Sequence, residues 1–207
     1  MEIKRTANAG VLIKIDGMSI LLDGVCDELA PYLGTPENIR EELTLQFPDI
    51  VAFTHKHKDH FDESYAEYYE KKTLRPIYGS EMPFSEKIGN VTLTPVLSRH
   101  IGKVELLHAS FVISGSKCIW FMGDASPLVL KEMGNMPKPD VVIVPYAYAI
   151  TESAWRMTKG LGADAIVLIH LPLPENDTYG LWKTVEEVTQ GDSCLYIPKL
   201  GESIFIH

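Results

Sequence analysis

Three histidines and an aspartate fall within six residues in the run Thr54-His55-Lys56-His57-Lys58-Asp59-His60. They follow directly on the apolar run Asp49-Ile50-Val51-Ala52-Phe53, which reads as a strand. Side chains alternate along a strand, so His55 and His57 leave it on the same side. A chain that then turns into a helix brings Asp59 and His60 to the same space from its first turn. Four nitrogen and oxygen donors converging there suit a borderline divalent ion. A metal site is the chemistry this spacing predicts.

Further donors stand at strand ends. His100 follows a strand at 91–97 through Ser98-Arg99, Asp124 follows Cys118-Ile119-Trp120-Phe121-Met122-Gly123, and His170 closes the run 165–169. A lone polar residue after an apolar strand sits where a sheet positions its loops. Five of the seven histidines belong to this set, leaving His108 and His207 over. His108 opens the next strand, so His100, in the loop, is the preferred donor.

The elements that must position these residues read as follows. Strands are predicted at 10–15 and 18–23, joined by the hairpin signal Asp16-Gly17, and at 49–54, 91–97, 106–113, 117–122, 141–144, 165–169, 194–197 and 203–206. Helices are predicted at 37–44, with Thr35 as N-cap and Pro36 at the first helical position, and at 63–72 behind Asp62. Others run from Ser126-Pro127 to about Met133, from a Thr151 cap to Lys159, and from Asp177 or Thr178 to near Gly191. Tyr65, Tyr68 and Tyr69 form an i, i+3, i+4 stripe read as core packing, and Trp155 and Trp182 are read the same way. Early hairpins followed by alternating strands and helices predict a mixed α/β fold, with no linker or repeat to split residues 1–207 into more than one domain.

Composition narrows the function classes. Of 207 residues, 45% are hydrophobic and 23% charged, as in ordinary globular proteins. A formal charge of −9 disfavours a nucleic-acid scaffold, which must neutralise phosphates, but leaves small anionic substrates open. The apolar stretches 141–150 and 163–171 are far shorter than a membrane span, and Met1-Glu2-Ile3-Lys4-Arg5 carries no signal-peptide pattern. Cys26, Cys118 and Cys194 form no CxxC pair and read as reduced thiols. A cytoplasmic protein is expected, with self-association left open.

The ordered set His55, His57, Asp59, His60, then His100, Gly123-Asp124 and His170 resembles the metallo-β-lactamase superfamily and its HxHxDH signature. The resemblance runs from the 10–23 hairpin through the last helix. It implies a four-layer αββα sandwich with the site along one edge of two sheets. It also implies two divalent ions: His55, His57 and His100 would hold one, Asp59, His60 and His170 the other, and Asp124 would bridge them. A bridging carboxylate with no cysteine ligand is similar to the hydrolase branches, and Phe61-Asp62 after the signature resembles a small lactonase-like branch.

Two ions about 3.5–4 Å apart would clamp a bridging hydroxide and polarise the bond it attacks. The function implied is a metal-dependent hydrolase of an ester, lactone or thioester of a small molecule, with Asp59 and Asp124 as catalytic carboxylates. An all nitrogen and oxygen set permits zinc first, or manganese or iron. Alternatives are a phosphodiesterase or nuclease using the same ions, an iron-dependent redox protein of the same fold, and a metal-binding module without catalysis.

Around this set, Tyr146 and Tyr148 follow the 141–144 strand, and either could donate a hydrogen bond to substrate or serve in packing. Asp23, at the end of Ile20-Leu21-Leu22, reads equally as a support for a ligand histidine and as a turn residue before Gly24. Asp62 reads as a cap. Lys56, Lys58 and Arg99 flank ligands and could meet an anionic substrate, but Lys56 and Lys58, alternating with the histidines, read first as pointing to solvent.

Overall fold

A computed structural model describes residues 1–102 and 105–207. Two sheets lie face to face. The first contains β1 (Glu2–Arg5), β2 (Val11–Ile15), β3 (Met18–Leu22), β4 (Ile50–Ala52), β5 (Ile77–Tyr78) and β13 (Ser203–Phe205), in the order β13-β1-β2-β3-β4-β5. The second contains β6 (Glu86–Ile88), β7 (Val91–Leu97), β8 (Ala109–Ser114), β9 (Cys118–Phe121), β10 (Val141–Pro145), β11 (Ala165–Ile169) and β12 (Leu195–Tyr196), in the order β12-β11-β10-β9-β8-β7-β6. Helices α1 (Glu37–Leu45) and α2 (Glu63–Thr73) cover the first sheet; α3 (Val129–Glu132), α4 (Glu152–Gly160) and α5 (Leu181–Thr189) cover the second.

The period-two alternation of strands builds these layers. Val11, Ile13 and Ile15 of β2 and Ile20 and Leu22 of β3 point into the core between the sheets, while Leu12 and Leu21 point out toward α1 and α2. In the second sheet Ile143, Val167 and Ile169 face the inter-sheet core, and Val142, Val144, Ile166 and Leu168 face the helices. Strands apolar on both faces are what helix-covered sheets require. The architecture is the αββα sandwich.

Each sheet begins antiparallel and ends parallel. The β2–β3 hairpin closes through Asp16 (φ 53°) and Gly17 (φ 77°), two left-handed residues, as a tight hairpin turn requires. Strands β3 to β5, and β9 to β12, are parallel through helical crossovers. The carboxyl ends of parallel strands collect at one edge, the ordinary place for a site in such sheets. Asp23, His55, Asp124, Tyr146 and His170 all follow the ends of parallel strands.

Several predicted boundaries move. Strand β1 was not expected, because four residues with an intermediate–buried alternation leave little pattern to read. The same holds for β5 and β6, of two and three residues. Thr35 does not cap α1: its hydroxyl accepts from the Cys26 amide at 3.0 Å, and Pro36 stands at the cap position. Asp62 and Thr151 do cap, accepting from Tyr65 N and Ala154 N. Among the described residues no helix is long and apolar enough to cross a membrane.

Candidate metal centre

The segment after β4 does not enter a helix at once. The amides of His60 and Phe61 both bond to His57 O, at 3.0 and 2.9 Å, closing a turn before α2 starts at Glu63. Asp59 and His60 therefore come from this turn and not from the first turn of a helix. The turn still brings them to the expected space. His55, His57 and His100 form one triad of ligand atoms within 4.8 Å of one another; Asp59, His60 and His170 form a second. Asp124 lies between them, Oδ2 at 3.4 Å from His60 Nε2 and 3.6 Å from His100 Nε2, and Oδ1 at 3.4 Å from His170 Nε2.

Whether these residues suit metal ions is tested by their unsatisfied atoms. Among the described residues, four buried side-chain atoms lack any hydrogen-bond partner, and three of them are Asp59 Oδ1, His100 Nε2 and Asp124 Oδ1. Burying such atoms is costly unless something binds them. Further, His60 Nε2 and His170 Nε2 face each other at 3.1 Å, and His55 Nε2 faces His57 Nδ1 at 3.0 Å. Two ligands about 2.0–2.1 Å from one tetrahedral ion stand at roughly this separation. The donor set fits.

The surroundings also orient the rings. Nδ1 of His60 meets Asp23 Oδ2 at 2.8 Å, Nδ1 of His55 meets Thr54 Oγ1 at 2.9 Å, and Nδ1 of His100 meets Ile101 O at 2.6 Å. Because Thr54 Oγ1 already donates to Asp23 Oδ2, it accepts from His55. In each case the proton is drawn to Nδ1 and Nε2 is left bare toward the centre, as metal-binding imidazoles need. Asp23 is fully buried and also accepts from Thr54 N at 2.7 Å, so one carboxylate ties β3 to the start of the histidine run. A Cβ on Gly10 would sit 2.0 Å from Asp23 O, so only glycine lets this turn lie against it.

His108, left over in the sequence, is built in behind Asp124. Its Nε2 accepts the Asp124 amide at 3.0 Å, and its Nδ1 meets Ser98 Oγ at 2.8 Å. With Nε2 occupied, His108 is a support and not a ligand; burial presses its pKa down to about 3, keeping it neutral. Gly123, at φ 52°, turns the chain from β9 to Asp124, and a Cβ there would meet Thr54 Cγ2 at 2.6 Å.

A family model described as beta-lactamase superfamily domain matches residues 2–170. This chain belongs to the metallo-β-lactamase superfamily. Solved structures agree on the fold. A possible metal-dependent hydrolase from Veillonella parvula superposes with TM-score 0.74 at 17% identity, over 100% of this chain and 99% of the other. An isothiocyanate hydrolase from Delia radicum gut bacteria gives 0.71 at 18%, over 100% and 99%. CmlA, a diiron beta-hydroxylase from Streptomyces venezuelae, gives 0.63 at 12%, over 98% of this chain and 53% of that one. No curated protein matches the chain in sequence.

Within this superfamily member, the buried carboxylates and imidazoles shift one another. Burial alone would raise the Asp124 carboxyl, but the charges of His170 and His60 and their hydrogen bonds hold it well below the usual range. Asp59 is lowered against burial by His170 and His60. Conversely, burial opposes charge on His170, yet Asp124 and Asp59 push it up to about 9, and His60 is likewise raised against burial by Asp124 and Asp23. His55 moves the other way, pressed down by burial and by His60. Two buried carboxylates thus demand positive charge, which imidazolium supplies when cations do not.

Tyr146 and Tyr148 part company. Tyr146 is half-buried, its ring 5.9 Å from that of His170. Tyr148 has no exposed surface and donates its hydroxyl to Ser126 O at 3.3 Å, so it packs beneath the site and cannot meet substrate. The expectation for Tyr148 is corrected: the turn through residues 146–148 sends alternate rings to opposite sides. A residue the sequence did not single out takes its place. Tyr32 sits edge-on to His170, centroids 4.5 Å apart. Burial first, and then its neighbour Tyr146, push its phenol up, so it stays a donor. Its only sequence signal was membership of a long loop after the Asp23 strand. Lys56, Lys58 and Arg99 are exposed, and Lys56 Nζ stands 3.9 Å from Glu81 Oε1.

Proposed function

We propose that the chain is a hydrolase that uses two divalent ions, zinc first, to cleave an ester-like bond of a small molecule: a carboxylic ester, lactone or thioester. The observation that carries this reading is the meeting of seven histidine and aspartate side chains from four separate segments, with three of their acceptor atoms buried and unpartnered. His55, His57 and His100 would hold one ion and Asp59, His60 and His170 the other, with Asp124 shared. When bound, such a pair supplies an activated water and polarises the bond under attack.

The protein's own groups do the rest. Asp59 Oδ1, buried and without a partner, is the acceptor placed to orient the attacking water and take its proton. Tyr32 and Tyr146, side by side over His170, offer phenol protons to the oxygen that gains charge or to the leaving group. Asp23 and His108 hold His60 and Asp124 in place.

The test is a panel of 4-nitrophenyl esters, thioesters, lactones and bis(4-nitrophenyl) phosphate, run on untagged protein with its metal content measured. Ester, lactone or thioester turnover that a chelator removes and zinc restores supports the reading. Turnover confined to the phosphate diester, or oxygen consumption by iron-containing protein, overturns it.

A further inference from the structure

The turn joining β1 to β2 lies against His170 and is built around two buried polar side chains, Arg5 and Asn8. Arg5 donates Nη2 to Asn8 O and to Leu171 O, both at 3.1 Å, Nη1 to Pro198 O at 3.2 Å and Nε to Ala7 O at 3.3 Å. One guanidinium therefore fastens the turn, the chain after His170 and the segment before β13 together. Asn8 O in turn accepts the His170 amide at 3.0 Å, and Asn8 Nδ2 lies 3.1 Å from His170 Nδ1. His170 itself is held at φ 63°, a left-handed backbone that a non-glycine residue adopts only where its surroundings impose it.

His170 differs from three of the other four ligand rings in one respect. His55, His60 and His100 direct Nδ1 at groups that accept: a hydroxyl whose proton is already given away, a carboxylate and a carbonyl. His170 directs Nδ1 at a carboxamide, which carries both an acceptor and a donor. With Oδ1 toward the ring, Asn8 accepts an Nδ1 proton and Nε2 is bare. With Nδ2 toward the ring, it donates to a bare Nδ1, and the ring proton sits on Nε2, the atom that faces His60, Asp59 and Asp124. A half turn of one buried amide separates a ring that can take an ion from one that cannot.

We propose that Asn8, anchored by Arg5, is a positioning residue that selects the metal-binding form of His170 and so sets how tightly the Asp59–His60–His170 triad takes its ion. This rests on the two-metal reading. Where the neutral ring carries its proton on Nε2, ion uptake sends that proton to solvent while Nδ1 takes one from solvent and the amide oxygen turns inward. Where the ring is doubly protonated the oxygen already faces it and only the Nε2 proton leaves. Release reverses these changes. Nothing else is consumed.

Three proteins test it: wild type, Asn8→Ala and Asn8→Asp. Aspartate keeps the shape of asparagine but can only accept, so it fixes the productive arrangement. Zinc affinity is measured for each by chelator competition, and long-range proton–nitrogen NMR of 15N-histidine protein reads which His170 nitrogen carries the proton and which binds zinc. We expect Asn8→Ala to bind the second zinc about 10- to 100-fold more weakly, the usual scale for losing a supporting partner, with the first unchanged. Asn8→Asp should match or exceed wild type, with Nδ1 protonated and Nε2 on zinc.

Unchanged second-zinc affinity in Asn8→Ala overturns the proposal while leaving the two-metal reading intact. So does an Asn8→Asp protein that binds more weakly than wild type, a comparison that stands even if Asn8→Ala does not fold. If His170 of the wild type shows no bound zinc under saturation, the two-metal reading fails and this proposal with it.

Discussion

His60 and His170 face each other through their Nε2 atoms at 3.1 Å, although 110 residues separate them in the chain. Two such atoms cannot both carry a proton comfortably, and neither has another partner that only accepts except Asp59 and Asp124. The pair is one centre that belongs to both sheets: His60 follows β4 of the first, His170 follows β11 of the second. Ions there would tie the two sheets together at the edge where crossovers leave them open.

That relationship sets a pH dependence. In the metal-free protein His170 holds its proton up to about 9 because Asp124 and Asp59 stabilise the imidazolium. An ion must displace that proton, so affinity rises with pH while the ring is protonated and levels off above the raised pKa. Calorimetric titration with zinc in buffers of different ionisation enthalpy should show proton release, with affinity climbing about tenfold per proton and pH unit between roughly pH 7 and 8.5. An ordinary histidine would already have levelled off by then. A flat affinity over that range contradicts the assignment.

Asp124 lies within 3.4–3.6 Å of a ring nitrogen from each triad. Asp124→Ala should leave His55, His57 and His100 able to bind one ion while the second is lost, and turnover should fall by at least about a hundredfold. Elemental analysis beside a rate assay checks this. Activity that persists in the variant breaks the two-metal mechanism.

Asp23 carries three hydrogen bonds at one buried carboxylate, from Thr54 N, Thr54 Oγ1 and His60 Nδ1. Asp23→Ala removes the acceptor that keeps His60 Nε2 bare and strands the Thr54 amide. Metal affinity should drop about 10- to 100-fold, and the protein should lose about 1–3 kcal/mol of stability from the unpaired buried groups. Chemical denaturation with and without zinc separates the two losses. A variant as stable and as metal-rich as wild type would show that Asp23 is only a turn residue.

The tyrosines divide by position. Tyr32→Phe and Tyr146→Phe remove phenol protons beside His170 and should each lower kcat by about 10- to 100-fold with metal content unchanged. Tyr148→Phe removes only a bond to Ser126 O and should cost about 1 kcal/mol of stability with kinetics intact. Steady-state assays and thermal melts on the three proteins suffice, and a kinetic effect from Tyr148→Phe equal to the others would reverse the roles.

Much of the site was readable because each ligand is a polar residue directly after an apolar strand. His100, Asp124 and His170 stand out against the runs that precede them, and the HxHxDH spacing groups the remainder. Tyr148 was misplaced because a short helical turn follows β10, and alternation no longer governs which way a ring points. Tyr32 and Asn8 were not read at all, since a loop tyrosine and an asparagine between two alanines carry no periodic signal. Their roles come from contacts with His170, well over a hundred residues away. Strand β1, which carries Arg5 into the interior, has only four residues and two polar faces' worth of charge to disguise it.

Anomalous X-ray diffraction from crystals of zinc-loaded protein tests the central claim most directly. Two peaks about 3.5–4 Å apart are predicted, one among His55, His57 and His100 and one among Asp59, His60 and His170, with Asp124 between them. A single ion at saturation, or ions bound away from these seven side chains, would contradict it.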